Sequence, residues 1–132
     1  MNQPQPTPLA SSGTGLAPNL AGALSYVFPP LSGILFLVLE KQSPFVRFHG
    51  AQSTIFGVAW VVLWVGLTIL STVLSVVPIL GWLVSALIML ACGLGGFILW
   101  LVLMWRAYNG SEWELPVIGP QARRLLASPS VS

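Results

Sequence analysis

Apolar residues in this chain gather in three long runs, and polar positions serve mainly to punctuate them. The first run, AGALSYVFPPLSGILFLVL, ends at Leu39; the second extends from Ile55 to about Val76; the third runs from about Leu83 to Tyr108. Between Phe48 and Trp105 there is no Asp, Glu, Lys or Arg. Runs of ~20 apolar residues match the roughly 30 Å hydrocarbon core of a bilayer. The pattern predicts an all-α integral membrane protein with three transmembrane helices. The expected spans are about 20–39, 50–77 and 80–108, within a domain covering 19–110.

The punctuation refines this picture. Pro29 and Pro30 lie at the midpoint of the first run and remove two backbone donors, which predicts a kink there. A break of that kind in lipid must be covered by protein or water, so the first span is expected to pack through its kink, with Ser25, Ser32 and Gly33 available for close contact. Ser43-Pro44 is a good N-cap and first-turn pair for the second helix. The short uncharged link Val77-Pro78-Ile79-Leu80-Gly81-Trp82 makes the second and third helices an antiparallel hairpin, with Trp82 as an interfacial anchor. Asn109-Gly110 closes the third.

Both ends differ from the middle. Residues 1–18 are rich in Pro, Gln, Ser and Gly without an apolar run, the composition of a disordered tail. They lack the basic and apolar regions of a signal peptide. Residues 111–132 form a separate C-terminal segment containing an LPVIG turn. From Pro120 this segment predicts a short amphipathic helix, with Ala122, Leu125 and Leu126 on one side and Arg123 and Arg124 on the other, suited to a membrane surface.

Charge sets the topology. Of 132 residues 55% are hydrophobic and only 6% charged, and the five basic residues are too scattered for a nucleic-acid footprint. Lys41, Arg47, Arg106, Arg123 and Arg124 all fall in the first loop or the C-terminal segment. The positive-inside rule makes both regions cytoplasmic, and three spans then leave the N-terminus outside. The expected location is the inner (cytoplasmic) membrane.

Candidate chemistry concentrates where the second helix begins. At 100° per residue Phe45, Phe48, His49, Gln52 and Ser53 share a face, with Arg47 beside them. One reading makes this a lipid-headgroup or anion site with Arg47 as fixed charge and Glu40, Glu112 or Glu114 as a proton-coupled partner. The other has Arg47 reaching lipid phosphates while His49 and Gln52 tie the helix to the C-terminal segment. Charge sign and side predict that Arg47 or Lys41 pairs with Glu112 or Glu114, and that Leu115, Pro116, Val117, Ile118 and Gly119 cover Phe45 and Phe48. Trp60 and Trp64 read as packing or lipid contacts. Gly93 and Gly96 lie on a small-residue stripe that serves packing within the chain or a dimer face.

No second His or Cys stands at ligand spacing from His49, so no metal site is expected. The lone Cys92 reads as a small buried hydrophobe. The chain contains no Asp, and Glu112 and Glu114 are two apart, which on a helix would point them away from each other. No glycine-rich phosphate loop follows a strand. Neither catalytic residues, a cofactor nor an enzyme activity is expected.

Three blocks, ALSYVFPPLSGILFLVLEK, FVRFHGAQS and RAYNGSEWELPVIG, resemble the Tic20-like family of small membrane proteins, also catalogued as the DUF4870 group. The resemblance covers about residues 19 to 126, most specifically Phe45–Ser53 and Tyr108–Gly119. It implies a four-helix relative of a plastid protein-import component and no settled activity. The residues themselves point to a protein that works by association, as an accessory or assembly subunit in membrane transport or protein translocation. Its partners would be membrane lipids and a protein partner or further copies of itself. The alternative is an oligomeric channel or transporter.

Overall fold

The computed structural model describes residues 13–127, and every regular element among them is a helix. In chain order these are α1 (Pro18–Leu24), α2 (Leu31–Leu39), α3 (Pro44–Leu74), α4 (Leu80–Tyr108) and α5 (Ile118–Ala127). Two of them, α3 and α4, are long and apolar enough to cross a membrane. At 1.5 Å per residue each is roughly 45 Å long, more than a hydrocarbon core requires.

Local chemistry explains the long helices. Ser43 is extended, and its hydroxyl accepts the Val46 N–H at 3.3 Å, while Pro44 occupies the first turn. Further along α3, Thr68, Thr72 and Ser75 donate to the carbonyls of Trp64, Thr68 and Thr72. Their hydroxyls therefore need nothing from the apolar surroundings. The link to α4 turns through Ile79, which adopts φ 65°. A β-branched residue is strained there, so the turn is held by its neighbours rather than by local preference.

The expected first span, 20–39, does not cross. It forms two short helices, α1 and α2, joined by Ser25–Pro30, and both pack against the N-terminal half of α3. A Cβ placed on Gly22 of α1 would meet the Phe45 and His49 rings. The tip of the pair reaches Gly57, where an added Cβ would run into the Pro30 nitrogen. The chain then climbs back, with Gly33 against Gly50, until Arg47 Nη1 donates to the carbonyls of Leu37 and Glu40 at 3.2 and 2.7 Å. The pair is a re-entrant hairpin, entering beside Tyr108, whose carbonyl accepts from Asn19 Nδ2, and leaving beside Arg47. Its depth along α3, from Pro44 to Gly57, is about 20 Å.

The broken backbone at the tip is satisfied by protein. The Ser25 carbonyl accepts from the hydroxyls of Ser32 and Ser53, and the Tyr26 carbonyl from the Trp100 indole. The Phe28 N–H donates to Ser32 Oγ at 3.0 Å. Non-helical backbone survives at membrane depth only under such cover.

This arrangement also corrects the expected placement of the N-terminus. Gly13 donates its N–H to Glu40 Oε1 at 2.8 Å, so the chain at residue 13 lies at the same end as the first loop, not across a bilayer from it. The expectation of a disordered tail concerns, up to Ser12, residues outside those described.

The hairpin, the first half of α3, the last turns of α4 and α5 together form a packed head. One core cluster joins Ala23 and Tyr26 to Phe56, Leu103, Ala107 and Leu115; another joins Leu37, Phe48 and Ala51 to Ala122. Beyond Gly57, α3 and α4 project as a two-helix arm with exposed apolar side chains such as Val62, Ile69, Leu87 and Leu90. In water such a surface would be untenable; in lipid it costs nothing.

Candidate functional site

The head is organised by one hydrogen-bonded chain of side chains. Tyr26, at the end of α1, sits fully buried with its hydroxyl 2.8 Å from His49 Nδ1. The other ring nitrogen, Nε2, lies 2.8 Å from the Ser111 carbonyl. A carbonyl only accepts, so Nε2 carries the proton and Nδ1 takes the Tyr26 hydroxyl proton. Gln52, one turn along, donates from Nε2 to the Tyr26 oxygen and to the Trp113 carbonyl, both at 3.0 Å. Its Oε1 accepts the Leu115 N–H at 3.0 Å. Every proton has one direction: Gln52 to Tyr26, Tyr26 to His49, His49 to Ser111.

His49 is ringed edge-on by Tyr26, Phe45 and Phe48 at centroid distances of 5.5, 4.6 and 5.1 Å. With both nitrogens engaged and no exposure, this imidazole ties three chain segments together. Ser53, on the same face, bonds the Ser25 carbonyl at the hairpin tip. No buried side-chain nitrogen or oxygen among the described residues lacks a hydrogen-bond partner.

A second polar centre holds the loop between α2 and α3. Glu40 is fully buried, and its Oε1 collects the N–H groups of Gly13, Gln42 and Ser43 at 2.8, 2.7 and 3.0 Å. Arg47 faces the carbonyls on the other side of that turn. These two side chains therefore build the mouth of the hairpin.

The expected ion pairs are different ones. Glu112 and Glu114 face Arg123, not Arg47 or Lys41. The reason is α5, which folds back over the first turns of α3 and brings Arg123 to the carboxylates and to within 4.4 Å of the Phe48 ring centroid. The hydrogen bond that Arg123 donates to Glu114 raises the Arg123 pKa above its ordinary value, so this cation stays charged throughout any workable pH range. The apolar face of α5 packs on α3 through Ala122, Leu125 and Leu126 rather than lying on a membrane surface.

The expected cover divides similarly. Leu115 inserts beside Tyr26, Phe56 and Leu103, whereas Phe48 is covered by Ala122 and Arg123. Pro116 and Val117 are exposed, Ile118 begins α5, and Gly119 is buried against Glu114. Val117 has φ 71°, a conformation that lets the turn aim Leu115 and Ile118 inward at the expense of strain. The Gly96 side of α4 receives the Trp60 ring of the same chain, and Gly93 lies 3.9 Å from Trp64 by its added Cβ.

Two residues of the network escaped sequence reasoning. Tyr26 stands inside an apolar run with nothing to mark it as polar-facing. Trp100 lies in the third apolar run, where nothing in the spacing points to a bond with the Tyr26 carbonyl. Among the described residues no group of three His, Cys, Asp or Glu side chains is placed to hold a metal ion.

Residues 12–122 match the sequence profile described as the magnetosome magnetite crystal formation protein family. A UPF0132 membrane protein of Methanocaldococcus jannaschii is 43% identical over 116 residues, covering 88% of this chain and 94% of the relative. One from Archaeoglobus fulgidus is 42% identical over 106 residues, covering 80% and 92%. No solved structure matches. These matches replace the Tic20-like assignment: the blocks that suggested it, Phe45–Ser53 and Tyr108–Gly119, lie inside the region matched by a different family. They extend over nearly the whole head and arm, and their relatives are named as membrane proteins. The chain belongs to the magnetosome magnetite crystal formation protein family.

Proposed function

We propose that this membrane protein works by association, as an assembly or accessory subunit whose arm meets its partner inside the bilayer while the head stays at one face. The observation that carries this reading is the division of the molecule. All Asp, Glu, Lys, Arg and His side chains of the described residues belong to the head and its immediate flanks, and the arm offers apolar residues, glycines, Cys92 and a few hydroxyls bonded to their own helices. Hydrogen bonds inside the head consume His49, Gln52 and Glu40, leaving recognition rather than turnover as the natural use of the surface. A channel formed by several copies would call for charged side chains along the arm, and between Phe48 and Trp105 there is no Asp, Glu, Lys or Arg.

The family description speaks of magnetite crystal formation. Iron oxides attract oxygen ligands, carboxylates above all. This chain has three carboxylates in total; Glu40 is buried under backbone N–H groups, and Glu112 and Glu114 face Arg123. A role in a mineral-forming membrane would accordingly be exerted on the membrane or on another protein, not on a crystal surface.

Two measurements test this reading. Native mass determination after extraction into lipid nanodiscs should yield a discrete assembly larger than one 14.1 kDa chain. Leu87→Ala/Leu90→Ala/Leu94→Ala on the exposed face of α4 should weaken that assembly without unfolding the head. A single chain free of any retained protein under every mild extraction condition would reject association. The basic residues, all of which flank or build the head, support a reading with the head on the cytoplasmic side of the inner membrane. Topology reporters fused at the two termini should both read cytoplasmic, and reporters on opposite sides would reject the re-entrant hairpin.

A further inference from the structure

Because the hairpin stops at Gly57, the space beneath its tip is left to α3 and α4 alone. A half-open cavity of about 420 Å³ lies there, lined among others by Pro29, Trp60, Trp64, Gly93, Phe97 and Trp100. Its wall is mainly apolar and aromatic, and its volume is within the size range of small-molecule sites. Phe56 stacks on Trp60, and Trp60 meets Trp64 edge to face at 5.7 Å, so the α3 wall is a continuous aromatic surface.

The three indoles at this cavity are not equivalent. Trp100 donates its N–H to the Tyr26 carbonyl. Neither Trp60 nor Trp64 donates a hydrogen bond to any group among the described residues, and the nearby threonine hydroxyl of Thr68 is committed to the Trp64 carbonyl. Trp60 and Trp64 stand 14 and 10 residues before the end of α3, about 21 and 15 Å from it. That depth is within the hydrocarbon core, where water is absent and an unpaired N–H is unfavourable by more than in water. Indoles usually sit at the interface, where the N–H stays wet.

From these observations we infer that the cavity is a binding site for a lipid-soluble ligand combining a flat apolar ring with carbonyl acceptors, the quinone class. Three features select this chemistry. The aromatic wall favours a planar partner by stacking. Trp60 and Trp64 line the cavity with indoles that donate to no group among the described residues, which suits an acceptor at mid-depth, whereas the ester oxygens of a phospholipid lie near the headgroups. The wall carries no ionisable group, which fits an uncharged ligand reaching the site from the bilayer itself. The structural role of Trp60, whose ring packs on Gly96, is compatible with this use because the residue also lines the cavity.

The test uses the full chain in phosphatidylcholine nanodiscs, with decylubiquinone as probe and bound probe counted by native mass spectrometry. Wild type should retain the probe saturably at one molecule per chain. Trp64→Phe keeps the ring and removes the donor, and should weaken retention about fivefold, the worth of one net hydrogen bond. Gly93→Leu should abolish it by filling the space; a Cβ at Gly93 meets only Trp64, at 3.9 Å, so the head is expected to fold unchanged by gel filtration and thermal unfolding. Retention that rises linearly without saturation, or that is identical in wild type and Gly93→Leu, overturns the proposal. So does displacement of nothing but phosphatidylcholine acyl chain, detected as brominated-lipid quenching of tryptophan that decylubiquinone leaves unchanged.

Discussion

Gln52→Leu is expected to destabilise the protein by about 2–5 kcal/mol and to release residues 109–117 from α3. The size follows from what the leucine leaves behind. The Leu115 N–H and the Trp113 carbonyl lose their partner in Gln52, and each buried orphan costs roughly 1–3 kcal/mol. Tyr26 keeps its bond to His49, so the hydroxyl itself adds little. Leucine is close in volume to glutamine, which makes a cavity contribution small. The effect is directional as well as large, because Gln52 is the residue that binds the C-terminal segment at two places and the hairpin at a third. Limited proteolysis in detergent should cut the variant between Asn109 and Val117 while α3 and α4 stay intact. Gln52→Glu discriminates further: it retains an acceptor for Leu115 but sets a carboxylate against two oxygens, and should unfold at a temperature below wild type. Equal melting temperatures and equal protease resistance for wild type and Gln52→Leu would show that the network does not hold the head together.

Much of this site was legible from spacing. Phe45, Phe48, His49, Gln52 and Ser53 share a face because 3.6 residues make a turn, and all five are buried in the head. Ser43-Pro44 marked the start of α3 because a hydroxyl cap and a donor-less first residue are local devices, independent of tertiary contacts. The tight second link followed from Pro78 and Gly81 for the same reason. What spacing does not carry is partnership across distant segments. Arg47, Lys41 and Arg123 have equal claims on Glu112 and Glu114 by charge alone. Only the return of α5 over Phe48 decides between them.

The first apolar run shows a deeper limit. Hydropathy and length treat a run of about twenty residues as a crossing. Pro29-Pro30 announces a break, but a kinked span and a re-entrant pair have the same composition. The difference lies in three close approaches: Gly22 to Phe45, Gly33 to Gly50, and Pro30 to Gly57. Each glycine is unremarkable alone, and their spacing on α3, at Gly50 and Gly57, reads equally well as a generic packing face. The topology error followed directly, since counting three crossings puts the N-terminus on the opposite side whatever the charges say. With two crossings the same basic residues keep both ends together, consistent with the Gly13–Glu40 hydrogen bond.

Two glycines of α3 should therefore respond in opposite directions to one methyl group. Gly66→Ala meets nothing within 4 Å and should leave stability unchanged or raise it by up to about 1 kcal/mol, the helix-propensity gain of alanine. Gly57→Ala drives its Cβ into the Pro30 nitrogen and to 2.7 Å from Pro29 C and Pro30 Cα. These are backbone atoms between two proline rings, which cannot turn aside as a long side chain would. Overpacking in a filled core costs typically about 1–3 kcal/mol, and a contact with rigid backbone belongs at or above the top of that range. The hairpin has to lift from α3, taking the Ser53 bond to the Ser25 carbonyl and the Trp100 bond to the Tyr26 carbonyl with it. A cysteine at Ser25, buried in wild type, should then react with a membrane-permeant maleimide in the Gly57→Ala background and stay protected in the Gly66→Ala background, both built without Cys92. Thermal unfolding in the same detergent supplies the energetic half of the comparison. Equal shifts for the two alanines, with Ser25 protected in both, would mean that the tip is not seated on Gly57 and that the re-entrant hairpin must be redrawn.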